Sequence, residues 1–270
     1  MRQFATYFAS ALLTLAVVCP QAIAVGNANV PVTIYKQKHG YLGNLEVIST
    51  PDAIRISEGT NGNIVLAKGP DWKVTVYNTN RRLYYDMTLA HWKSHGLRAV
   101  WVMMANTSEW PIVNIGTEMH NGRRCDKYIL AADPKARAKI KAKMPVNMAY
   151  GKAGEYWLDG ENKGARERAT VLFQLFKIPD APNLPLELKV YFAKDSGFFG
   201  NAQNIKQDAD KKILETLSIK KMDMPLSTFA VPAGYRRAKD DSEVTISKSY
   251  SNSLDDIVKD MGLGETFYNK

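Results

Sequence analysis

The chain has 270 residues, 45% of them hydrophobic, and carries 36 Lys and Arg against 27 Asp and Glu, a formal net charge of +9 at pH 7. That length suits one large domain or two small ones, and the mild basic excess suits anionic partners: phospholipid head groups, acidic glycans or, third, nucleic acid. With two cysteines, one of them in a leader segment, a disulfide scaffold is excluded and an ordinary hydrophobic core must hold the fold.

Residues 1–24, MRQFATYFASALLTLAVVCPQAIA, open with a charge at Arg2, continue through an apolar stretch from 8 to 18 and end on the small-x-small triplet Ala22-Ile23-Ala24. Export and signal-peptidase processing need that order. We therefore expect a signal peptide cleaved between Ala24 and Val25 and a periplasmic or secreted mature protein. The apolar run is about eleven residues, short of the ~20 that span a hydrocarbon core. A buried N-terminal helix is one other reading. A lipid anchor on Cys19 is another, opposed by Val18 where a small residue should stand and by Pro20 after it. No later segment is apolar enough to cross a membrane, which predicts a soluble mature chain. Cleavage leaves Cys125 as a lone thiol, expected to be buried and inert.

From residue 32 apolar and polar residues alternate, the mark of strands with one buried face. Val32-Thr33-Ile34-Tyr35-Lys36 begins the series; Leu45-Glu46-Val47 and Ala53-Ile54-Arg55-Ile56-Ser57 continue it. Ile64-Val65-Leu66-Ala67 is apolar throughout, Trp72-Lys73-Val74-Thr75-Val76-Tyr77 alternates again, and Leu83-Tyr84-Tyr85 follows. Thr50-Pro51-Asp52, Gly59-Thr60-Asn61-Gly62, Lys68-Gly69-Pro70-Asp71 and Asn78-Thr79-Asn80 mark turns between them. The spacing leaves no room for crossover helices, so these strands should meander antiparallel.

Residues 89–95 read as a helical turn or two, 98–105 as a buried strand, and 112–118 with 125–130 as strands flanking Asn121-Gly122. Asp133-Pro134 is a helix start, an acidic N-cap before proline. The helix then places Ala136, Ile140 and Met144 on one face and stops at Pro145. Glu155-Tyr156-Trp157-Leu158 predicts a strand, residues 169–178 (ATVLFQLFKI) an apolar helix packed on the sheet, and the proline-rich stretch 179–185 a stiff connector. Residues 186–192 and 213–219 alternate as strands. A last strand at 244–246 leads to a helix capped by Ser253, with Leu254, Ile257, Val258 and Met261 along one face and Gly262 closing it.

The progression VISTPDAIRI, NIVLAKGPDWKVTVYNTNRRLYY, GRRCDKYIL, EYWLD, LPLELKVYF and ILETLSIKKMDMPLSTFAVPAGYRR resembles a family of uncharacterised exported bacterial proteins. These are similar in turn to the lipoprotein carriers of the LolA/LolB type. Lys220-Lys221-Met222-Asp223 followed by Phe229-Ala230-Val231-Pro232-Ala233-Gly234-Tyr235 is the most specific part. The resemblance implies an α+β fold: a strongly curved antiparallel sheet, an incomplete barrel, with helices covering the concave face. It spans residues 32–237, so we divide the chain into a signal peptide (1–24), a LolA/LolB-like domain (25–237) and a C-terminal extension with an amphipathic helix (238–270). In the carriers the concavity accepts acyl chains. Residues 133–150 and the tail beyond Ala238 match no part of that pattern.

Catalytic motifs are scarce. His91 and His95 have the spacing of two zinc ligands on a helix, but Trp92 stands where a metalloprotease has Glu, and only Glu118 and His120 offer further ligands. There is no G-x-S-x-G, the glycine clusters at 59–62 and 151–154 fit no phosphate cradle, and the adjacent acids Asp240-Asp241 and Asp255-Asp256 read as solvated charge. We expect no enzyme, no cofactor and no metal. Lys135, Arg137, Lys139, Lys141 and Lys143 crowd one segment and repel one another if helical; an anionic membrane surface would offset this, and a solvated helix face is the plainer alternative. Nucleic acid is not expected for an exported chain. Trp72, Trp101 and Trp157 are candidates to line an apolar ligand cavity, or else are core. Gly197-Phe198-Phe199-Gly200 puts two adjacent rings between glycines, a candidate lip over that cavity, or a hairpin whose rings fold back. The expected function is a non-catalytic exported protein binding a hydrophobic ligand, a lipid or an acylated protein, in a sheet cavity. The alternative is an envelope interaction module using the basic segment and the C-terminal helix.

Overall fold

The computed structural model describes residues 28–40, 42–59, 61–97, 107–144, 153–191 and 210–245. The expected signal peptide, the strand at 98–105, Trp101, Phe198, Phe199 and the helix at 253–262 lie outside them.

Six strands form an antiparallel meander in chain order: β1 (Asn29–His39), β2 (Gly43–Ser49), β3 (Ala53–Glu58), β4 (Asn63–Lys68), β5 (Lys73–Asn78) and β6 (Leu83–Met87). Their alternation sends Tyr35, Val47, Ile56, Val65 and Val76 into one core, and Val32, Ile48, Ile64, Leu66 and Tyr77 into a second on the opposite face. With both faces covered, β4 is apolar and buried from Ile64 to Ala67. Trp72 belongs to the β4–β5 turn and not to the strand: its φ of 50° is left-handed, and its indole packs on Gly69.

A second meander runs β7 (Ile112–His120), β8 (Arg123–Ala131), β9 (Ala153–Asp159), β10 (Pro185–Tyr191) and β11 (Asp210–Pro225). The two halves join where β11 pairs antiparallel with β1, from Asn29 opposite Pro225 to His39 opposite Leu214. The result is one curved sheet, open at its ends, with β7 at one edge. The other edge corrects a detail of the expected antiparallel sheet. After a 3-10 turn, Leu226–Phe229, the chain packs Phe229, Val231 and Tyr235 over the second core. It then reaches β6 in β6's own direction, so β12 (Arg236–Arg237) pairs parallel and the sheet is mixed.

Two helices cover the first face, and Val244 near the end of the described chain joins the same core. α1 (Leu89–His95) is capped by Thr88, whose side chain accepts from the His91 amide; its Trp92 is fully buried and donates from Nε1 to the Val171 carbonyl at 3.1 Å. α3 (Arg166–Phe176) ends in a left-handed Lys177 and buries eight of its eleven residues. Phe173 meets Tyr156 of β9 edge-on, and Phe176 stacks on His39 of β1.

α2 (Pro134–Lys141) begins as expected, with Asp133 accepting from the Lys135 amide at 2.8 Å. It is shorter than its pattern: Ala136 and Ile140 pack against Ala153, but Lys143 turns left-handed and leaves Met144 exposed. At Val244 and Thr245, where a strand was expected to begin, the chain forms α4 (Asp241–Thr245); residue 246 lies outside the described residues. Asp240 accepts from the Glu243 amide at 2.8 Å while Glu243 accepts from the Lys239 amide at 2.7 Å, a reciprocal cap that overrides β-branched propensity. Asp241, read as solvated charge, is instead buried.

Candidate functional site

β11 is longer than the pairing on either side of it. Up to Glu215 it pairs with β10; from Thr216 to Pro225 its ladder partner among the described residues is β1 alone. The cause is local. β10 starts only at Pro185, after the proline-rich connector, and side chains close the ladder there: Gln37 Nε2 donates to the Pro185 carbonyl at 2.7 Å and Thr216 Oγ1 to the Leu186 carbonyl at 2.8 Å. The β9–α3 loop meets β1 there from the first-core face, Asn162 Nδ2 donating to Tyr35 Oη.

Between that loop and the seam lies a cleft of about 460 Å³. Pro31, Val32, Pro51 and Met222 supply apolar wall; Thr33, Ser49, Asn162, Lys221 and Asp223 supply the polar groups. The wall is mostly apolar, and size and composition both match a site for an organic ligand with one polar end.

A buried polar network backs this cleft. The Asp159 carboxylate accepts from Tyr35 Oη at 2.8 Å, from Arg123 at 3.1 Å and from the amides of Glu161 and Asn162 at 2.9 and 3.2 Å. Asn162 Nδ2 donates to Tyr35 Oη, and its Oδ1 and carbonyl accept from Arg168. Arg168 also donates to Ser49 Oγ at 2.9 Å and to the Thr50 carbonyl at 3.2 Å. Burial first, then the charge of Asp159, holds the Tyr35 hydroxyl far above its ordinary range, so it remains a neutral donor. Burial lowers the Arg168 guanidinium from its ordinary value, which is high enough that the charge is kept. These groups spend their hydrogen bonds on one another, so the network fixes the wall of the cleft. Gly164 shows how closely it is built: a Cβ there would stand 2.7 Å from the Pro51 carbonyl oxygen.

Trp157 sits elsewhere. It lies beneath His120, stacked at 4.3 Å, with Lys127 and Lys189 amines 5.1 and 5.2 Å from its ring and its Nε1 donating to Glu118 at 2.6 Å. Ion pairs surround it: Lys127 with Glu155 and Glu118, Lys189 and His120 with Glu187. Burial pushes the Glu187 carboxyl up, but His120 and Lys189 win and hold it below its ordinary value. Neither Trp157 nor Trp72 lines the seam cleft.

On α2 the buried Ala136 leaves Lys135, Lys141 and Lys143 exposed, with Arg137 and Lys139 half-buried. His91 and His95 stack at 4.5 Å and His95 bonds Ser94; among the described residues no three His, Cys, Asp or Glu gather as metal ligands. Cys125 is buried, its thiol pushed up to about 11 by burial and then by Asp159. The cleft and its network escaped sequence reasoning. The only sign was Arg168, the cation that directly precedes the apolar run of α3.

No protein-family model matches the chain, and no curated protein matches it in sequence. Among solved structures it is similar to a conserved protein from Thermus thermophilus, over 78% of this chain and 91% of that one, at 9% identity and a TM-score of 0.39. It is also similar to the lipoprotein LppX of Mycobacterium tuberculosis, over 73% and 87%, at 10% identity and a TM-score of 0.26. A LolA superfamily protein from Nitrosomonas europaea matches over 76% and 91%, at 12% identity and a TM-score of 0.22.

Proposed function

We propose that this chain is an exported, non-catalytic protein that holds a hydrophobic ligand, a lipid or the acyl chain of an acylated protein, on the concave side of its sheet. The observation that carries this is the open, mostly apolar cleft at the β1–β11 seam, with Lys221 placed to meet an anionic or polar head group. The sheet's curvature supports it. α3 touches both β9 and β4, six strand spacings apart, or about 29 Å at ~4.8 Å each, whereas a helix is only ~10–12 Å wide. In this reading the sheet bends around α3, so that α3 lies in the concavity with the cleft at its uncovered end.

In this reading residues 1–24 direct export and are removed, Phe198 and Phe199 form a lip, and residues 238–270 extend a carrier-like domain. Native mass spectrometry of the mature protein purified from its own host tests it. A mass increment released as lipid on activation supports the proposal; a clean apo mass with no uptake of added fatty acid contradicts it.

A second reading has its own observation. α2 is tethered by Ala136 and Ile140 and turns Lys135, Lys141 and Lys143 outward, which suits peripheral contact with an anionic membrane.

A further inference from the structure

We infer that the edge of β11 at residues 217–224, which pairs on one side only among the described residues, is a docking edge for an extended acidic peptide, which adds to the sheet as a strand. The inference goes beyond the hydrophobic-ligand reading, because it requires backbone pairing and charge but no acyl chain.

An edge strand presents a row of unmatched N–H and C=O groups, and folded proteins blunt such edges by shortness, proline, bulges and charged side chains, lysine above all. This edge is long and has no proline within 217–224; Lys220, Lys221 and the bulge at Leu217 guard it against a second copy or an uncharged strand, and an acidic strand is the occupant they admit. It lies inside the sheet's width, where the β10–β11 ladder ends at Glu187 opposite Glu215 and β11 continues beside β1 alone among the described residues. Leu217, the extra residue of a bulge opposite Lys36 and Gln37, is 58% exposed, and Met222 is 50% exposed. An open ladder flanked by exposed apolar side chains is what strand addition uses: main-chain bonds supply affinity and alternate side-chain pockets supply selectivity. The cleft beside Lys221–Asp223 receives the inward side chains of the added strand.

Charge selects the occupant. Lys220 and Lys221 stand at the middle of the edge, both exposed and without an ion-pair partner among the described residues, against one acid, Asp223. Pairing with the same edge of a second copy would bring lysines against lysines, which is repulsive. An acidic strand relieves that charge, since successive residues of β11 offer Lys220 to one face of the sheet and Lys221 to the other.

The test titrates the mature protein into a fluorescein-labelled peptide of alternating valine and glutamate and reads anisotropy. Saturable binding is expected. Two versions, each N-methylated on a different alternate set of residues, should differ: one loses binding, because its bonding edge is blocked, and the other keeps it. The double variant Lys220→Glu, Lys221→Glu should lose affinity by about tenfold, the scale of two exposed ion pairs, and should gain affinity for a valine–lysine peptide, which shows that it still folds. Absence of binding, or equal binding by both N-methylated peptides, overturns the inference. Either result leaves fatty-acid uptake to be judged on its own titration.

Discussion

Arg168 and Arg166 stand two residues apart on α3, and replacing each by Met should have very different consequences. Arg168 is 1% exposed and donates to Ser49 Oγ, the Thr50 carbonyl, and both the side chain and the carbonyl of Asn162. Met retains much of its apolar volume but none of its donors, so the Asn162 carbonyl and Oδ1 lose their partner, while the Thr50 carbonyl keeps Ser49 Oγ. A hydrogen bond to a charged group contributes ~1.5–3 kcal/mol, and a buried acceptor left unmatched costs ~1–3 kcal/mol. These overlap for bonds made by one side chain, and removing a buried cation returns part of the loss. The net for Arg168→Met is about 3 kcal/mol of destabilisation. With a urea m-value of about 2 kcal/mol per molar, the midpoint falls by about 1.5 M. Arg166 pairs with Asp180 at 2.9 Å, with side chains 66% and 49% exposed, so Arg166→Met should cost under ~0.5 kcal/mol. Urea denaturation followed by tryptophan fluorescence measures both. Equal shifts, or a shift below about 0.4 M for Arg168→Met, would refute the role given to the network.

Three further outcomes follow from the electrostatics. The Cys125 thiol, at about 11 in the folded chain, should react slowly with Ellman's reagent at pH 8 and quickly in denaturant. Because its folded value lies above the unfolded ~8.5, stability should fall as pH rises from there toward 11, and Cys125→Ala should flatten that slope. Glu187 is the opposite case: its folded value is lowered by His120 and Lys189 against the pull of burial, so its stabilisation is present above the unfolded ~4.3 and lost as pH falls. Glu187→Gln should weaken the dependence of Tm on pH between 5.5 and 3; an unchanged slope would remove Glu187 from the account of acid stability. Replacing Lys135, Lys141 and Lys143 by Gln should reduce sedimentation with phosphatidylglycerol vesicles by up to about 100-fold in affinity, at ~1 kcal/mol per cation; wild-type protein that stays in the supernatant contradicts the membrane reading.

Much of the sheet was legible in the sequence because its strands obey local rules. β1 to β6 alternate cleanly and are separated by Pro, Gly and Asn turns, so their order and direction follow from spacing alone. β11 was half seen: 213–219 alternates, but Lys220-Lys221 breaks the phase before Met222 and Met224 resume it, and that stretch is paired on one side and largely exposed among the described residues. α4 was misread because Val244-Thr245 favours a strand, while the decisive cap is made by Asp240 and Glu243. The network was illegible for a different reason. Tyr35 meets Asp159 across 124 positions and Arg168 meets Ser49 across 119, and no local pattern announces such pairs. The cleft likewise exists only because the first strand pairs with the last long one. Trp72 and Trp157 drew attention as large aromatics, yet one is fixed by a left-handed turn and the other by a charged cluster.

The most direct measurement is a titration of residues 25–270, the chain without its proposed signal peptide, with cis-parinaric acid, alongside the variant Pro31→Trp. Pro31 is an exposed residue on the cleft wall opposite Asp223, so an indole there occupies the cleft without entering the core. Ligand binding at the seam predicts saturable fluorescence enhancement for the wild type and its loss in Pro31→Trp at an unchanged Tm. No enhancement in the wild type, or the same enhancement in both, contradicts it.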